Sequence, residues 1–227
     1  PPILKELSGE VRKDIFVVCG TNGKTTTNNM LCAALEAEGQ KVICNHTGSN
    51  MLNGVVAAFV LGAGLNGHID ADYACIEADE ASTKYIFPQI MPQYMVMTNL
   101  FRDQLDRYGE VTHTLDNIRI GIQHSPNAVL CLNADDSLSA SLHDDVENPV
   151  IFYGVNTPIY KDRVDEVSDA PYCIRCKNEY VYDYVTYGHL GGYHCSNCGY
   201  GRPEPQVAVT KVVSSDAEQS QVVFGTK

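Results

Sequence analysis

Seven small, polar and basic residues directly after an apolar segment have the composition of a phosphate-binding loop. They are Gly20, Thr21, Asn22, Gly23, Lys24, Thr25 and Thr26. In such loops glycines let backbone N–H groups approach the anion, the lysine contacts the β- and γ-phosphates, and the next hydroxyl binds Mg²⁺. Val18 stands where the usual G-x-x-x-x-G-K-[ST] pattern has its first glycine. We predict a nucleotide-binding loop; the alternative is an ordinary glycine-rich turn before a helix.

Carboxylates that suit a metal ion beside that loop follow a later apolar run. Glu77 ends the apolar run 73–77, and Asp79 and Glu80 come directly after it. Carboxylate oxygens are ligands that Mg²⁺ accepts. Glu77 is therefore the Mg²⁺ candidate together with Thr25, whereas Asp79 and Glu80 fit an exposed acidic turn equally well.

Two further polar segments follow predicted strands. Residues 99–106 place several charged and amide side chains after an apolar run, which is more than a turn requires: Asn99, Arg102, Asp103, Gln104 and Asp106. Residues 133–136 read Asn-Ala-Asp-Asp. From their chemistry alone, they either hold the ribose or adenine of a nucleotide or cap the next helix.

Two C-x-x-C pairs have the spacing of a zinc ribbon. The pairs are Cys173 with Cys176 and Cys195 with Cys198, and 18 residues separate them. Cysteines three apart on a tight turn direct their sulfurs at one tetrahedral centre, and four thiolates leave no open coordination position. We predict a structural zinc site; a redox dithiol pair and disulfides are the alternatives.

A series of tyrosines lies between the two cysteine pairs. Tyr180, Tyr182 and Tyr184 alternate like one face of a hairpin strand. They form either a binding surface or, in the interpretation we favour, a cover over a small metal module that has little core. His189 and His194 would be ligands only if a cysteine were not.

The composition limits the classes of protein that fit. The chain has 227 residues, with 28 acidic and 16 basic side chains and a formal net charge of −12. Nonspecific nucleic-acid binding requires cations that neutralise phosphates, so an acidic chain argues against it. No apolar run approaches the roughly 20 residues of a membrane-spanning helix. The remaining cysteines lie singly in apolar segments, which fits a reducing, intracellular location: Cys19, Cys32, Cys44, Cys75 and Cys131.

Short apolar runs alternate with helical patterns over the first two thirds of the chain. Predicted strands cover residues 15–19, 41–44, 73–77, 94–98, 128–133 and 150–153. Predicted helices cover residues 24–38, 50–61 and 111–124. This alternation indicates a mostly parallel sheet covered by helices on both faces. Ligands bind such sheets beyond the carboxyl ends of the strands, so the polar segments are expected at one edge.

The last third of the chain has a different character. Residues 171–201 are rich in cysteine, tyrosine and glycine and form the predicted ribbon insertion. Residues 206–213 and 221–224 alternate like a pair of antiparallel strands, with Ser214, Ser215 and Asp216 in the predicted turn. The fold class is therefore α/β, with an inserted four-cysteine ribbon and a small antiparallel β element.

These segments, in this order, resemble the central domain of the Mur ligase family, which includes the peptidoglycan-precursor ligases and folylpolyglutamate synthase. The resemblance covers about residues 14–224, and that family commonly lacks the first glycine of the loop. The residues that carry it are Gly20–Thr26, Asn45–Met51, Glu77, Thr98–Asp106 and Leu132–Asp136.

The resemblance implies a role for each matching residue. Lys24 would contact the phosphates, and Thr25 and Glu77 would hold Mg²⁺. Asn99, Arg102 and Asp103 would line the reaction centre, and Asn133 and Asp136 would lie near the nucleoside. A substrate-facing loop would contain Asn45, Thr47, Ser49 and Asn50.

Two departures from the family pattern matter. Gln104 stands where many members have a histidine that helps to bind a second metal ion, so a second Mg²⁺ is in doubt. Members also continue into a C-terminal domain that closes over ATP, and we interpret residues 1–227 as the central domain alone; one alternative is that this chain by itself is a catalytically silent scaffold.

The four-cysteine ribbon resembles one branch of the family, in which a ligase subunit amidates the D-glutamate of lipid II. The implied activity is ATP-dependent amide formation through an acyl phosphate, with ATP, Mg²⁺ and Zn²⁺ bound. Ammonia would come from a GatD-like glutaminase subunit, at the cytoplasmic face of the membrane where the lipid-linked substrate lies. The alternatives are another Mur-type amino acid ligase and, from a different class, a zinc-ribbon NTPase or nucleic-acid-binding module.

Overall fold

A computed structural model describes residues 2–46, 49–101, 108–144, 146–158, 170–215 and 219–227, without the side chains of residues 108–112. The helices are α1 (Pro2–Ser8), α2 (Lys24–Ala37), α3 (Leu52–Gly62), α4 (Thr83–Ile90), α5 (Tyr108–Gln123) and α6 (Ser137–Ala140). The first five strands are β1 (Ile15–Cys19), β2 (Val42–Cys44), β3 (Tyr73–Glu77), β4 (Tyr94–Met97) and β5 (Val129–Asn133). The others are β6 (Val150–Val155), β7 (Val181–Tyr187), β8 (Leu190–His194), β9 (Val207–Ser215) and β10 (Ser220–Thr226).

The chain divides into two compact units. The first comprises residues 1–98, 103–130 and 145–149, and the second comprises residues 99–102, 131–144 and 150–227. Strand β5 therefore begins in the first unit and ends in the second.

Parallel strands in the order β4-β1-β3-β2 organise the first unit. The middle strand β1 is almost wholly buried, with Val17, Val18 and Cys19 inaccessible to solvent. Helices pack against these strands and against one another, as parallel sheets require because both of their faces must be covered. Gly121 of α5 lies so close to Thr83 that a side chain there would press on its backbone, so α4 and α5 pack tightly.

The second unit combines strands in the order β5-β6-β9-β10 with a two-stranded ribbon. Strand β9 is parallel to β6 and antiparallel to β10. Strands β7 and β8 form a separate antiparallel hairpin between the two cysteine pairs. In this unit Arg202 Nε donates to Asp135 Oδ1 at 2.7 Å, and Val155 N donates to Asp135 Oδ2 at 2.8 Å, which anchors the chain after the ribbon to the loop after β5. Burial raises the pKa of the Asp135 carboxyl, against the opposing effect of Arg202.

The structure confirms the predicted α/β class and the mostly parallel sheet. It also confirms a hairpin between the two cysteine pairs, formed by β7 and β8, and an antiparallel pair near the end of the chain, formed by β9 and β10. Helix α4 was not predicted, because it has only eight residues and contains Pro88, a residue that disfavours helix interiors. The predicted turn after β9 was wrong for Ser214 and Ser215. Both residues continue the ladder to β10, while Asp216 lies outside the described residues.

Candidate functional site

The predicted phosphate-binding loop connects β1 to α2, and its backbone has the conformation that the glycines allow. Gly20 and Gly23 have φ values of 128° and 79°, a region that side chains disfavour. Thr98, directly after β4, donates its hydroxyl to the carbonyl of Asn22 at 2.8 Å. The loop is therefore held at the carboxyl ends of two adjacent strands, where parallel sheets bind ligands.

Thr25 and Glu77, the two predicted Mg²⁺ ligands, contact each other. Thr25 Oγ1 donates to Glu77 Oε2 at 2.7 Å, although the two residues are 52 positions apart in sequence. Asn50 Nδ2 donates to the other carboxylate oxygen, Oε1, at 3.3 Å. Glu77 is only 3% exposed, so its carboxylate is a buried oxygen ligand beside the hydroxyl of the loop. These oxygens are the donors that Mg²⁺ accepts, and they fit the ion that the family implies.

Asn45 holds the backbone of Glu77 on both sides. Its Nδ2 donates to the carbonyl of Glu77 at 2.8 Å, and its Oδ1 accepts from the N–H of Glu77 at the same distance. Its Nδ2 also donates to the carbonyl of Ser49 at 3.0 Å. The side chain thus takes the place of a backbone partner one residue after β2 ends, and it ties Glu77 to Ser49 near the end of the predicted substrate loop.

Lys24 is paired with an acidic residue that the sequence had left as an ordinary turn. Lys24 Nζ lies 3.4 Å from Glu80 Oε1 and donates to the carbonyl of Thr21 at 3.2 Å. Both charged side chains are 14% exposed. Burial raises the pKa of Glu80, which Lys24 opposes. Asp79, in contrast, caps the turn after β3 by accepting from Ala81 N at 3.1 Å.

The remaining described candidates lie in the second unit. Asp136 is inaccessible to solvent; its carboxylate accepts from the N–H groups of Leu138 and Leu100 and lies 3.3 Å from His189 Nε2. It therefore caps α6, one of the two roles considered for it. Asn133 Oδ1 accepts from the N–H of Asp135 at 3.0 Å. The roles of Asn99, Asn133 and Asp136 near a reacting centre or nucleoside stay predictions.

Some predicted residues lie outside the described part of the chain. They are Thr47 in the substrate loop and, after β4, Arg102, Asp103, Gln104 and Asp106.

The four predicted zinc ligands form one cluster. Their sulfur atoms all lie within 4.8 Å of one another, with 3.6 Å between Cys173 and Cys198 and 3.4 Å between Cys176 and Cys195. Tetrahedral coordination with Zn–S bonds of about 2.3 Å gives sulfur separations of about 3.8 Å. The donor set and its spacing therefore fit a structural zinc ion.

Each half of this cluster is a short turn closed by its own backbone. Lys177 N donates to the carbonyl of Cys173, and Gly199 N donates to the carbonyl of Cys195, at 2.9 and 3.0 Å. Lys177 and Gly199 have φ values of 64° and 75° at equivalent positions. Hydrogen bonds, above all from the side chain of Asn197, lower the pKa of the Cys176 thiol to about 6, which favours the thiolate that zinc binds.

The tyrosines pack behind the cysteine cluster. Tyr180, Tyr193 and Tyr200 are buried with Cys173 and Cys195 in one apolar cluster. This arrangement matches the interpretation of the tyrosines as a cover for a small metal module. Among the described residues, His189 and His194 do not join the four sulfurs.

Sequence reasoning missed two contacts at the loop, those of Glu80 with Lys24 and of Thr98 with Asn22. An acidic residue three positions after a strand end and a threonine at the end of an apolar run are both common. Nothing in the sequence therefore distinguishes Glu80 and Thr98 from the many such residues that make no contact with a phosphate-binding loop.

The family model of the Mur ligase middle domain matches residues 18–198, and the chain belongs to the Mur ligase family. One relative is the MurT subunit of the lipid II isoglutaminyl synthase (glutamine-hydrolyzing) from Staphylococcus aureus strain COL. It is 34% identical over 208 residues, which are 92% of this chain and 46% of the relative. The corresponding subunit from Streptococcus pneumoniae strain R6 is 32% identical over 93% of this chain and 46% of that relative. The chain thus spans about half the length of these curated relatives.

Solved structures agree with this assignment. A pseudomurein peptide ligase type C from Methanothermus fervidus has a TM-score of 0.68 at 25% identity, over 96% of this chain and 43% of that one. MurF from Thermotoga maritima, solved in complex with ADP, has a TM-score of 0.53 at 19% identity, over 68% of this chain and 35% of that one. The second likeness concerns the fold alone.

Proposed function

We propose that this chain is the ATP-binding part of a ligase that converts the D-glutamate carboxylate of lipid II into the amide, giving D-isoglutamine. The observation that carries the ATP-binding part of the proposal is the contact of Thr25 Oγ1 with the buried Glu77 carboxylate, directly after a glycine-rich loop with a lysine. The lipid II assignment rests on the relatives and on the four-cysteine ribbon that fits zinc.

The residues at the loop suit phosphoryl transfer. A carboxylate and a triphosphate repel each other, so the site must supply positive charge where they meet. Lys24 would exchange Glu80 for the β- and γ-phosphates, while backbone N–H groups of residues 20–25 would hold the remaining phosphate oxygens. Thr25 and Glu77 would hold Mg²⁺, which neutralises phosphate charge when it is bound.

The proposed reaction has two steps. A carboxylate oxygen of the D-glutamate attacks the γ-phosphorus, the bond to the ADP oxygen breaks, and an acyl phosphate forms. Ammonia then attacks the acyl carbon, inorganic phosphate leaves, and the amide remains after loss of a proton. Arg102, Asn99 and Asp103 are the candidates for positioning the two reactants.

The proposal includes a partner and a place. Ammonia would come from a GatD-like glutaminase subunit, which the name of the MurT relatives, subunits of a glutamine-hydrolyzing synthase, supports. The reaction would occur in the cytoplasm, at the membrane face that presents lipid II. In the described part of the chain no helix is both long enough and apolar enough to cross a membrane.

A second candidate is a Mur-type ligase that adds an amino acid instead of ammonia. The likeness to a pseudomurein peptide ligase over 96% of this chain favours it. A zinc-ribbon NTPase is a third reading, and the acidic charge weighs against its binding nucleic acid.

The test uses the full-length protein that contains this chain, with its candidate glutaminase subunit and lipid II. ATP hydrolysis and product mass are measured with glutamine, ammonia or free amino acids as the amine source. Turnover with glutamine or ammonia, together with conversion of a carboxyl into a carboxamide, is the expected result. Turnover that requires an amino acid would move the protein to the peptide-adding group, and hydrolysis that depends on neither would contradict both ligase assignments.

A further inference from the structure

Two cysteines that lie singly in the sequence gather with a histidine in the first unit. Cys32 is on α2, Cys44 ends β2, and His46 follows two residues later. One ligand atom from each lies within 4.8 Å of the other two. We propose that Cys32, Cys44 and His46 form a second metal site, selective for a thiophilic ion such as Zn²⁺ and separate from the four-cysteine cluster.

Local geometry explains why these three side chains converge. Cys44 ends β2 and His46 lies in the turn directly after it, while the side chain of Asn45 between them is bonded to the backbone of Glu77. Cys32 is inaccessible to solvent and belongs to the helix that packs against β2. The three ligands therefore come from two adjacent elements whose positions the parallel sheet already sets.

Two neighbouring asparagines of α2 support the ligands in the way that metal sites require. Asn28 Nδ2 donates to Cys44 Sγ at 3.2 Å, a hydrogen bond that strengthens when the sulfur is a thiolate. Asn29 Oδ1 lies 3.3 Å from His46 Nδ1, within hydrogen-bond distance. Metal-bound histidines usually donate their second ring nitrogen to an oxygen in this manner, which orients the ring. We assign Nε2 of His46 to the ion.

The ligand set predicts which metal binds and how tightly the site is closed. Thiolates and imidazole together select zinc or copper(I) over magnesium and calcium. Three protein ligands leave a fourth position for water, and His46 is exposed, so the open position faces solvent. Zinc coordination brings ligand atoms to about 3.5–3.8 Å from each other, so the exposed histidine would move inward when the ion binds.

The proposed site lies between two elements that position residues of the proposed nucleotide site, helix α2 and the end of strand β2. Helix α2 begins with Lys24 and Thr25, and the residue between the two strand-side ligands is Asn45, which holds Glu77. An ion bound to Cys32, Cys44 and His46 would cross-link α2 to the end of β2 directly beside that contact.

The test counts zinc bound to the whole chain with its four-cysteine cluster intact. Purified protein is saturated with zinc, exchanged into metal-free buffer and measured by mass spectrometry of the metal. We expect two zinc ions per wild-type chain and one in His46→Ala and in Cys44→Ser. Cys131→Ser is the matched control, because Cys131 is half-buried like Cys44 and belongs to neither cluster; it should keep two.

Cobalt provides a second readout that distinguishes the sites. Cys176→Ser should lose the ribbon ion but retain a cobalt spectrum with the weaker thiolate charge-transfer intensity of a two-sulfur site. Because His46 is exposed, His46→Ala should fold, and its circular dichroism is compared with that of wild type. One zinc per wild-type chain would overturn the proposal, as would two zinc ions in both His46→Ala and Cys44→Ser. A Cys32–Cys44 disulfide that persists in zinc-saturated protein under reducing conditions would also overturn it.

Discussion

The phosphate-binding loop of the first unit and the cysteine ribbon of the second assemble their ligands in opposite ways. In the ribbon, each pair of sulfurs comes from one C-x-x-C turn of four residues, and each turn is closed by its own backbone hydrogen bond. At the loop, Thr25 reaches Glu77 across 52 positions, and Asn45 reaches the same residue across 32. The ribbon site is local in sequence, whereas the loop site depends on the register of three parallel strands.

This difference determines what holds each region together. The ribbon has a small buried cluster of cysteines and tyrosines, and a metal ion supplies the cross-link that such a core lacks. The loop region is built on the buried strand β1 and keeps its polar groups in place by hydrogen bonds. We therefore expect the whole ribbon to unfold when one of its four cysteine ligands is lost. At the loop, a single substitution should weaken nucleotide or Mg²⁺ binding while the first unit remains folded.

The largest expected effect concerns the ribbon. Cys176→Ser should abolish zinc binding at the cluster and unfold β7 and β8, because structural zinc contributes on the order of 10 kcal/mol to such modules. Amide hydrogen exchange should show lost protection in residues 181–194 and unchanged protection in β1 and β3. The conservative control is Cys131→Ser, and retained protection of the hairpin without zinc would refute the comparison.

Lys24→Ala should weaken ATP binding by about 10- to 100-fold, because a charge-assisted contact with phosphate is worth about 1.5–3 kcal/mol. Isothermal titration calorimetry of the full-length protein measures this change. The fold should survive, with some loss of stability at neutral pH because the partly buried Glu80 loses its partner. Lys211→Ala, an exposed lysine on β9, is the control, and equal affinity in both variants would reject the loop assignment.

Asn45→Ala should destabilise the first unit by about 1–3 kcal/mol, since it leaves the buried N–H and carbonyl of Glu77 without their partner. Urea unfolding measures the change. Because Glu77 is then less well positioned, the Mg²⁺ concentration needed for nucleotide binding should also rise. Asn66→Ala, in an exposed turn, serves as the control. Loss of stability without any change in Mg²⁺ dependence would limit Asn45 to a structural role.

Glu80→Gln should have the smallest effect, and its sign is informative. Burial raises the pKa of Glu80 in the folded chain. The stability that Glu80 contributes is therefore fully present below its pKa in the unfolded chain, about 4.3, and is lost as the pH rises through its higher pKa in the folded chain. The glutamine variant should therefore melt slightly higher than wild type at pH 7 and at the same temperature near pH 4. Glu6→Gln, on the exposed side of α1, controls for net charge. A lower melting temperature at pH 7 would mean that the Lys24 pair outweighs burial.

Most of the strands were predictable, because β1, β3 and β4 are short apolar runs bounded by polar residues. The four zinc ligands were predictable for a similar reason, since their spacing of three within each pair is a local pattern. Helix α4 was not predictable, because Pro88 and its short length argue against a helix, and packing against α5 and α1 stabilises it.

The sequence by itself determined the α/β alternation, the loop between β1 and α2, and the four-cysteine cluster, because neighbours in the chain carry those signals. Only the tertiary structure decided that Asn45 holds Glu77, that Lys24 pairs with Glu80, and that the buried Asp136 accepts from the N–H of the distant Leu100. It also brought Cys32, Cys44 and His46 together from two separate elements. The physical reason is that these contacts join residues far apart in the chain, and strand register and helix packing set their distances.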